Sequence, residues 1–182
     1  MKTFLEIGSC DFDTLSYLSH YGWRGIILEP IPKYFNNLKF EENIHYINAA
    51  IYPTDGVTTM TCAEDDVVDR DHDFAGMSSV YNNTNPLLTK KVEVKTICFE
   101  TLFKVTNITE IDYLKIDTEG YDGEVLQMFP WDICKPKYIK FESVHLHSQG
   151  PSPIFLEDTL KLVRSHGYHI EMGATDTYAI KL

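Results

Sequence analysis

The segment Thr3–Pro30 constrains the fold of this chain more than any other stretch. An apolar run, Phe4–Ile7, leads into Gly8, and a second apolar run, Ile26–Leu28, leads into Glu29. Between the two runs, a short polar turn precedes apolar residues that recur at helical spacing. This order predicts a strand, a tight turn, a helix and a second strand that is closed by an acidic residue. Units of this kind bind the adenosine half of nucleotide-like cofactors.

The next stretch continues the alternation of strands and helices. We expect the first helix to begin near Asp11 or Asp13 and to end at Gly22, because carboxylates favour helix starts and glycine favours helix ends. Pro32 suits the first turn of a second helix, and Asn43–Ile51 is predicted to form a third strand. The order β-α-β-α-β predicts a parallel sheet with right-handed crossovers.

Five further stretches complete the predicted set of strands. They are Val57–Ala63, Lys91–Cys98, Ile111–Asp117, Tyr138–Val144 and the tail Tyr168–Leu182, which divides into two strands. A closing antiparallel hairpin on a mostly parallel sheet is therefore expected. The chain has no internal repeat or interdomain linker, so residues 1–182 are predicted to form one α/β domain.

The composition of the chain disfavours several classes of function. The 182 residues carry a net charge of −11 without a dense basic cluster, which disfavours a nucleic-acid partner. The four cysteines include no C-x-x-C pair, which disfavours a cysteine zinc site. The sequence has neither a signal-peptide pattern nor an apolar run of membrane-spanning length. These features predict a reduced, cytoplasmic protein that makes no membrane contact.

Polar side chains follow the carboxyl ends of the predicted core strands, where open α/β sheets bind their ligands. In chain order, these strand-end groups are Glu6 to Asp11, Glu29, Asn48 with Ala49, Asp117 with Glu119, and Glu142 to His147. Five polar strand ends at one edge of a sheet are more than an inert scaffold requires. We therefore expect a binding site at this edge.

The first two strand ends indicate the kind of cofactor. Gly8 lets the backbone approach a ligand closely, and Glu29, about twenty residues later, suits the two hydroxyls of a ribose. The alternatives are an ordinary tight turn at Gly8 and a surface carboxylate at Glu29. The pattern G-x-G-x-x-G, which admits a pyrophosphate, is absent. A ligand with adenosine but no diphosphate points to S-adenosylmethionine.

The later strand ends offer groups for chemistry. Asp117 and Glu119 lie between a strand and a helix, where they could face a transferred methyl group or serve only as helix caps. Glu142, His145 and His147 are expected on one side of an extended segment. A histidine there could deprotonate a hydroxyl, and a glutamate with two histidines could equally bind a metal ion. The alternative for the histidines is a surface or capping role.

At these positions the chain resembles the FkbM family of class I S-adenosylmethionine-dependent methyltransferases. The segments that carry the resemblance are FLEIGSCDFDTL, ILEPIPKYF, INAAIYPTDG and, most specifically, IDYLKIDTEGYDGEVL. The resemblance implies a Rossmann-like, doubly wound, mostly parallel seven-stranded sheet with a C-terminal antiparallel hairpin. It also implies O-methyl transfer, often to hydroxyls of sugars or natural products.

The resemblance further implies roles for individual residues. Glu6, Gly8, Ser9 and Cys10 would hold the methionine part of the cofactor, with Asp11 in the same turn. The rest of the implied cofactor site is Glu29 at the ribose with Pro30 beside it, Asn48 and Ala49 at the adenine, and Asp117 near the methyl group. The first motif departs from the family pattern, because Cys10 replaces an asparagine and Phe12 replaces a glycine.

Our first hypothesis is therefore an S-adenosylmethionine-dependent O-methyltransferase that acts on a small-molecule or carbohydrate hydroxyl. Its candidate catalytic residues are Asp117, Glu119, Glu142 and His145. The acidic loop Glu64–Asp73 is expected to help to select the acceptor. The sequence leaves open whether the protein binds a divalent metal and whether it forms an oligomer.

The altered first motif motivates a second hypothesis, a non-catalytic domain that binds the cofactor or a protein partner. A third, a nicotinamide dehydrogenase, is disfavoured by the glycine pattern.

Overall fold

The computed structural model of the protein describes residues 1–11, 14–63, 78–80, 89–146 and 152–182. Phe12, the acidic loop Glu64–Asp73 and His147 lie outside these ranges. Within them, no helix has both the length and the apolar character needed to cross a bilayer.

The main sheet has seven strands, as expected for this fold class. In chain order the strands are β1 (Thr3–Ile7), β2 (Arg24–Leu28), β3 (Ile44–Ile47), β8 (Tyr113–Ile116), β9 (Tyr138–Glu142), β10 (Tyr168–Met172) and β11 (Asp176–Lys181). Their order across the sheet is β10-β11-β9-β8-β1-β2-β3. Strands β3, β2, β1, β8 and β9 pair in parallel.

The predicted C-terminal hairpin is confirmed. Strand β11 is antiparallel both to β9 and to β10, so the last strand in the chain inserts between two earlier ones. The sheet is therefore mostly parallel, with one reversed strand inside its far end.

Helices cover both faces of the sheet, which makes the fold doubly wound. On one face, the strands pack against α2 (Phe99–Thr106), α3 (Asp122–Met128) and α4 (Leu156–Ser165) in the largest apolar core. On the other face, a smaller core forms beneath a 3-10 helix, Leu15–Tyr21, and α1 (Pro32–Asn37). The core strands alternate between the two: Leu5 belongs to the first core and Phe4 to the second.

A second sheet, which the sequence did not predict as a separate unit, packs beside the first. It has four strands in the order β4-β7-β5-β6, with bounds β4 (Ala50–Ile51), β5 (Gly56–Cys62), β6 (Ser78–Ser79) and β7 (Lys90–Ile97). The single strand predicted over Asn43–Ile51 is therefore wrong. The chain leaves the main sheet after Ile47, and the residues from Ala50 pair with β7 instead of β2.

The first helix begins close to its predicted start, but the group that caps it differs from the prediction. The helix begins after Thr14, whose hydroxyl oxygen accepts a hydrogen bond from the Ser16 amide at 3.2 Å. A hydroxyl thus caps the helix in place of the predicted carboxylate, and Asp13 lies outside the described residues. The predicted end at Gly22 is confirmed, because Gly22 adopts a left-handed conformation with φ of +76°.

Gly8 brings the ends of strands β1 and β8 into close contact. Its φ is +79°, and a Cβ at this position would lie 1.8 Å from the carbonyl oxygen of Asp117. Any larger residue would therefore both strain the backbone and push apart the two strand ends. Gly22 has a similar φ, yet a Cβ there would meet nothing within 4 Å.

These two glycines allow a matched test of the contact. Gly22→Ala should lower the free energy of unfolding by ~1 kcal/mol, the cost of a left-handed alanine. Gly8→Ala should lower it by a further ~1–3 kcal/mol, because a packed backbone must also move. Chemical denaturation of both variants measures the difference. Equal losses would contradict the close contact between Gly8 and Asp117.

Candidate functional site

A cavity of about 200 Å³ opens at the carboxyl ends of the parallel strands, between the main sheet and the smaller one. Five groups of residues line it: the turn after β1, the end of β2, the small sheet with the residues that flank it, the stretch from the end of β8 into α3, and Glu142 at the end of β9. The predicted site residues among them are Gly8, Ser9, Cys10, Glu29, Pro30, Ala49, Asp117, Glu119 and Glu142. The sheet topology therefore brings most of the predicted strand-end groups into one space.

Glu29 is a buried carboxylate at the cavity wall rather than a surface group. Only 3% of it is exposed, and its two oxygens accept hydrogen bonds from the amides of Cys10 and Ile31, each at 2.8 Å. Burial raises the pKa of Glu29 to about 7, although these backbone bonds oppose the shift. Each carboxylate oxygen can accept a second hydrogen bond, so the group retains capacity for ligand hydroxyls.

The first turn depends on Glu29 for its shape. Cys10 has a φ of +48°, which is unusual for a residue with a side chain. The hydrogen bond that its backbone amide donates to the Glu29 carboxylate holds it in this conformation. Burial raises the pKa of the Cys10 thiol, which keeps it protonated. Cys10 thus contributes a neutral thiol to the cavity wall at the position where the family pattern has an asparagine side chain.

Two predicted cofactor residues support the cavity from outside its lining. The side-chain amide of Asn48 donates to the backbone carbonyls of Glu29 at 2.8 Å and Pro30 at 3.1 Å, which links the ends of β2 and β3. Asp11 accepts a hydrogen bond from the side chain of Asn37 at 2.8 Å, which connects the first turn to α1.

Glu6 lies beneath the cavity instead of within it. It is fully buried. Its carboxylate accepts hydrogen bonds from the Lys115 ammonium at 3.0 Å, the Thr14 hydroxyl at 2.9 Å and the Leu15 amide at 2.8 Å. Burial raises the pKa of Glu6, and these three partners oppose the shift. The pair of Glu6 and Lys115 therefore joins β1 to β8 and anchors the start of the 3-10 helix.

Asp117 and Glu119 form the side of the cavity at the end of β8. Burial raises the pKa of Asp117 to about 6, and the nearby Lys115 ammonium opposes this shift. Glu119 has a φ of +53° and is followed by Gly120 at +100°, so the loop bends sharply. The bend directs the Glu119 carboxylate towards the end of the neighbouring strand β9.

Glu119, Glu142 and His145 form a cluster at that strand end. The Nε2 atom of His145 lies 3.3 Å from a Glu119 oxygen and 3.6 Å from the Oε2 atom of Glu142. Burial and the charges of Glu119 and Asp122 raise the pKa of Glu142. The contact with Glu119 raises the pKa of His145 above its ordinary value.

The same cluster has the composition of a cation site. One ligand atom from each of Glu119, Glu142 and His145 lies within 4.8 Å of the other two. Carboxylate and imidazole donors suit several divalent metals. The arrangement can therefore share a proton, accept one from a hydroxyl, or hold a divalent cation.

Sequence reasoning missed other residues of the cavity wall. Lys115 lies on β8 two residues before Asp117, which follows the strand directly, and the period-two alternation of an extended chain would have placed both on one face. Tyr121 also lines the cavity, and its ring stacks on Tyr52 with centroids 6.0 Å apart. Met60 and Ser78 of the small sheet, and Val80 directly after β6, also line the cavity, and no motif signals them.

Two solved structures have a similar fold. The Methanococcus jannaschii fibrillarin pre-rRNA processing protein matches with a TM-score of 0.52 and 12% identity over 99% of this chain and 66% of its own. A Staphylococcus aureus protein described as a caffeoyl-CoA O-methyltransferase matches with a TM-score of 0.53 and 12% identity over 100% of this chain and 76% of its own. At these identities the likeness shows the fold alone, and this chain spans about two thirds to three quarters of each neighbour.

A search of curated proteins finds no match to the chain. The sequence profile of the methyltransferase FkbM domain, in contrast, matches residues 6–170, which run from within β1 into β10 and include every strand of the small sheet. The chain therefore belongs to the FkbM methyltransferase family.

Proposed function

We propose that the protein transfers the methyl group of S-adenosylmethionine to a hydroxyl of a small molecule or sugar. The observation that carries the proposal is the continuity of the cavity, which joins Glu29 to Asp117, Glu119 and Glu142. One part of this space suits the ribose of an adenosine, and the other part gathers carboxylates that suit a sulfonium and an acceptor hydroxyl.

The charges of the cavity wall support a cationic cofactor. Among the described residues that line it, four are acidic and Lys115 alone is basic. Lys115 already contacts Glu6 at 3.0 Å, so the wall as a whole favours positive charge. S-adenosylmethionine carries a sulfonium and an ammonium group, and both would gain from this environment.

The proposed reaction is a direct displacement. The acceptor oxygen forms a bond to the methyl carbon while the bond from that carbon to sulfur breaks, and the sulfur leaves as a neutral thioether. The hydroxyl proton passes to Glu142, His145 or Asp117. Alignment of the oxygen, the methyl carbon and the sulfur supplies most of the rate gain.

Glu29→Ala should weaken S-adenosylmethionine binding by about tenfold or more, because the variant loses charged hydrogen bonds to the ribose. Isothermal titration calorimetry measures the dissociation constant. Glu42→Ala, which removes an exposed carboxylate from the loop before β3, is the control and should bind normally. Failure of the unaltered protein to bind the cofactor would refute the proposed function.

Cofactor affinity should also depend on pH through Glu29. Burial raises the pKa of Glu29 to about 7, and the titratable groups beside it are the Asp11 carboxylate and the Cys10 thiol, which stays neutral over this range. The ionised form accepts more hydrogen bonds, so affinity should rise by about tenfold between about pH 6 and about pH 8. The same titration of Glu29→Gln should be flatter. An equally steep rise in that variant would assign the dependence to other groups.

Glu142→Gln should lower kcat by about 100-fold to 10,000-fold, the usual contribution of a positioned acid or base. Cofactor affinity should change little. Transfer of labelled methyl to a panel of sugars and small alcohols provides the rate, and Glu171→Gln, an exposed position on β10, provides the control. Normal cofactor binding without transfer to any acceptor would instead favour a non-catalytic binding domain.

A further inference from the structure

Strands β8 and β9 separate at the edge that carries the cavity. Strand β8 ends at Ile116, which pairs with Phe141, and the chain then turns away through Thr118 and Glu119. This divergence opens a gap between the loop after β8 and Glu142, the last residue of β9.

The side chain of Asp122 fills this gap. Its Oδ1 atom accepts a hydrogen bond from the Glu142 amide at 3.1 Å. Its Oδ2 atom accepts from the hydroxyl of Thr118 at 2.7 Å and from the amide of Thr118 at 3.3 Å. Asp122 is fully buried at the start of α3, so the carboxylate itself contacts no solvent.

The two sides that Asp122 connects carry different parts of the candidate site. Thr118 belongs to the loop that holds Asp117 and Glu119, whereas Glu142 begins the segment that leads to His145. The contact of His145 with Glu119 at 3.3 Å crosses the same gap, whereas its contact with Glu142 at 3.6 Å lies within one side. A shift of one side against the other would break the contact between His145 and Glu119.

We propose that Asp122 is a positioning residue that sets the distance between the two halves of the acceptor site. The inference rests on the proposed function, because it assigns the reacting groups to those two halves. Asp122 itself lies outside the cavity lining, so it acts through Thr118 and Glu142. Misplacement of reacting groups by about 1 Å can lower a rate by about 100-fold.

A carboxylate suits this role because each oxygen accepts from a different side of the gap. Asparagine can retain the bond from the Glu142 amide, but its NH2 group would face the Thr118 amide, which is also a donor. Alanine loses the hydrogen bonds to Thr118 and to Glu142. Substitution of Asp122 first by asparagine and then by alanine therefore removes these hydrogen bonds in two steps, and the asparagine variant keeps the side-chain volume.

Asp112 provides a matched control at the opposite end of β8. One of its oxygens accepts from the Thr3 amide at 2.8 Å and the other from the Lys137 ammonium at 2.6 Å. Asp112 thus connects neighbouring segments in the same way as Asp122, but far from the cavity. Asp112→Asn should loosen the sheet at that end without an effect on the acceptor site.

The first measurement is amide hydrogen exchange by NMR. In Asp122→Ala the Glu142 amide should exchange at least about tenfold faster relative to the core amide of Leu114, and Asp122→Asn should show a smaller increase. Asp112→Asn should leave the Glu142 amide unchanged and accelerate that of Thr3. Unchanged exchange at Glu142 in Asp122→Ala, or in Asp122→Asn should the alanine variant not fold, would overturn the inference.

The second measurement separates binding from turnover. Asp122→Asn should lower kcat by about 10-fold to 100-fold while the dissociation constant of S-adenosylmethionine changes by less than about twofold. A parallel loss of cofactor affinity, or an unchanged kcat, would overturn the positioning role. Absence of methyl transfer by the unaltered protein would refute the proposed function, and the exchange result would still show whether Asp122 holds the two sides together.

Discussion

The close contact between Gly8 and the Asp117 carbonyl organises the site. It lets the turn after β1 lie directly against the end of β8. The buried pair of Glu6 and Lys115 also joins these two strands, and so reinforces the junction between β1 and β8, here termed the seam. Because parallel strands present their carboxyl ends at one edge, this seam sets two otherwise distant chain segments side by side. The turn contributes one wall of the cavity, and the loop after β8 contributes acidic groups.

The site concentrates carboxylates in surroundings that resist their charge. Burial raises the pKa of Glu29 to about 7 and of Asp117 to about 6, and that of Glu142 rises as well. Such groups are costly to ionise without a counter-charge, and a cation that enters the cavity supplies one. The electrostatic preference thus arises from burial of like charges, while the neutral Cys10 thiol adds no charge of its own.

The parallel sheet and its helices could be predicted because apolar runs, glycines and prolines report local structure directly. The site residues that follow a strand, such as Glu29 and Asp117, could be predicted for the same reason. The division of Asn43–Ile51 between two sheets could not, because its apolar pattern is equally compatible with one strand, and the choice depends on distant pairing with β7. Asp122 was missed because its role depends on a bond to Glu142, which lies 20 residues away.

The short connection between the two sheets has a consequence for how such a site can diversify. Only Asn48 and Ala49 separate β3 from β4, and the small sheet then supplies Met60 and Ser78 to the cavity wall. Side chains on that sheet can change in size or polarity while the main sheet keeps its register and its acidic edge. The size and polarity of the cavity can therefore vary through one sheet while the acidic groups stay in place on the other.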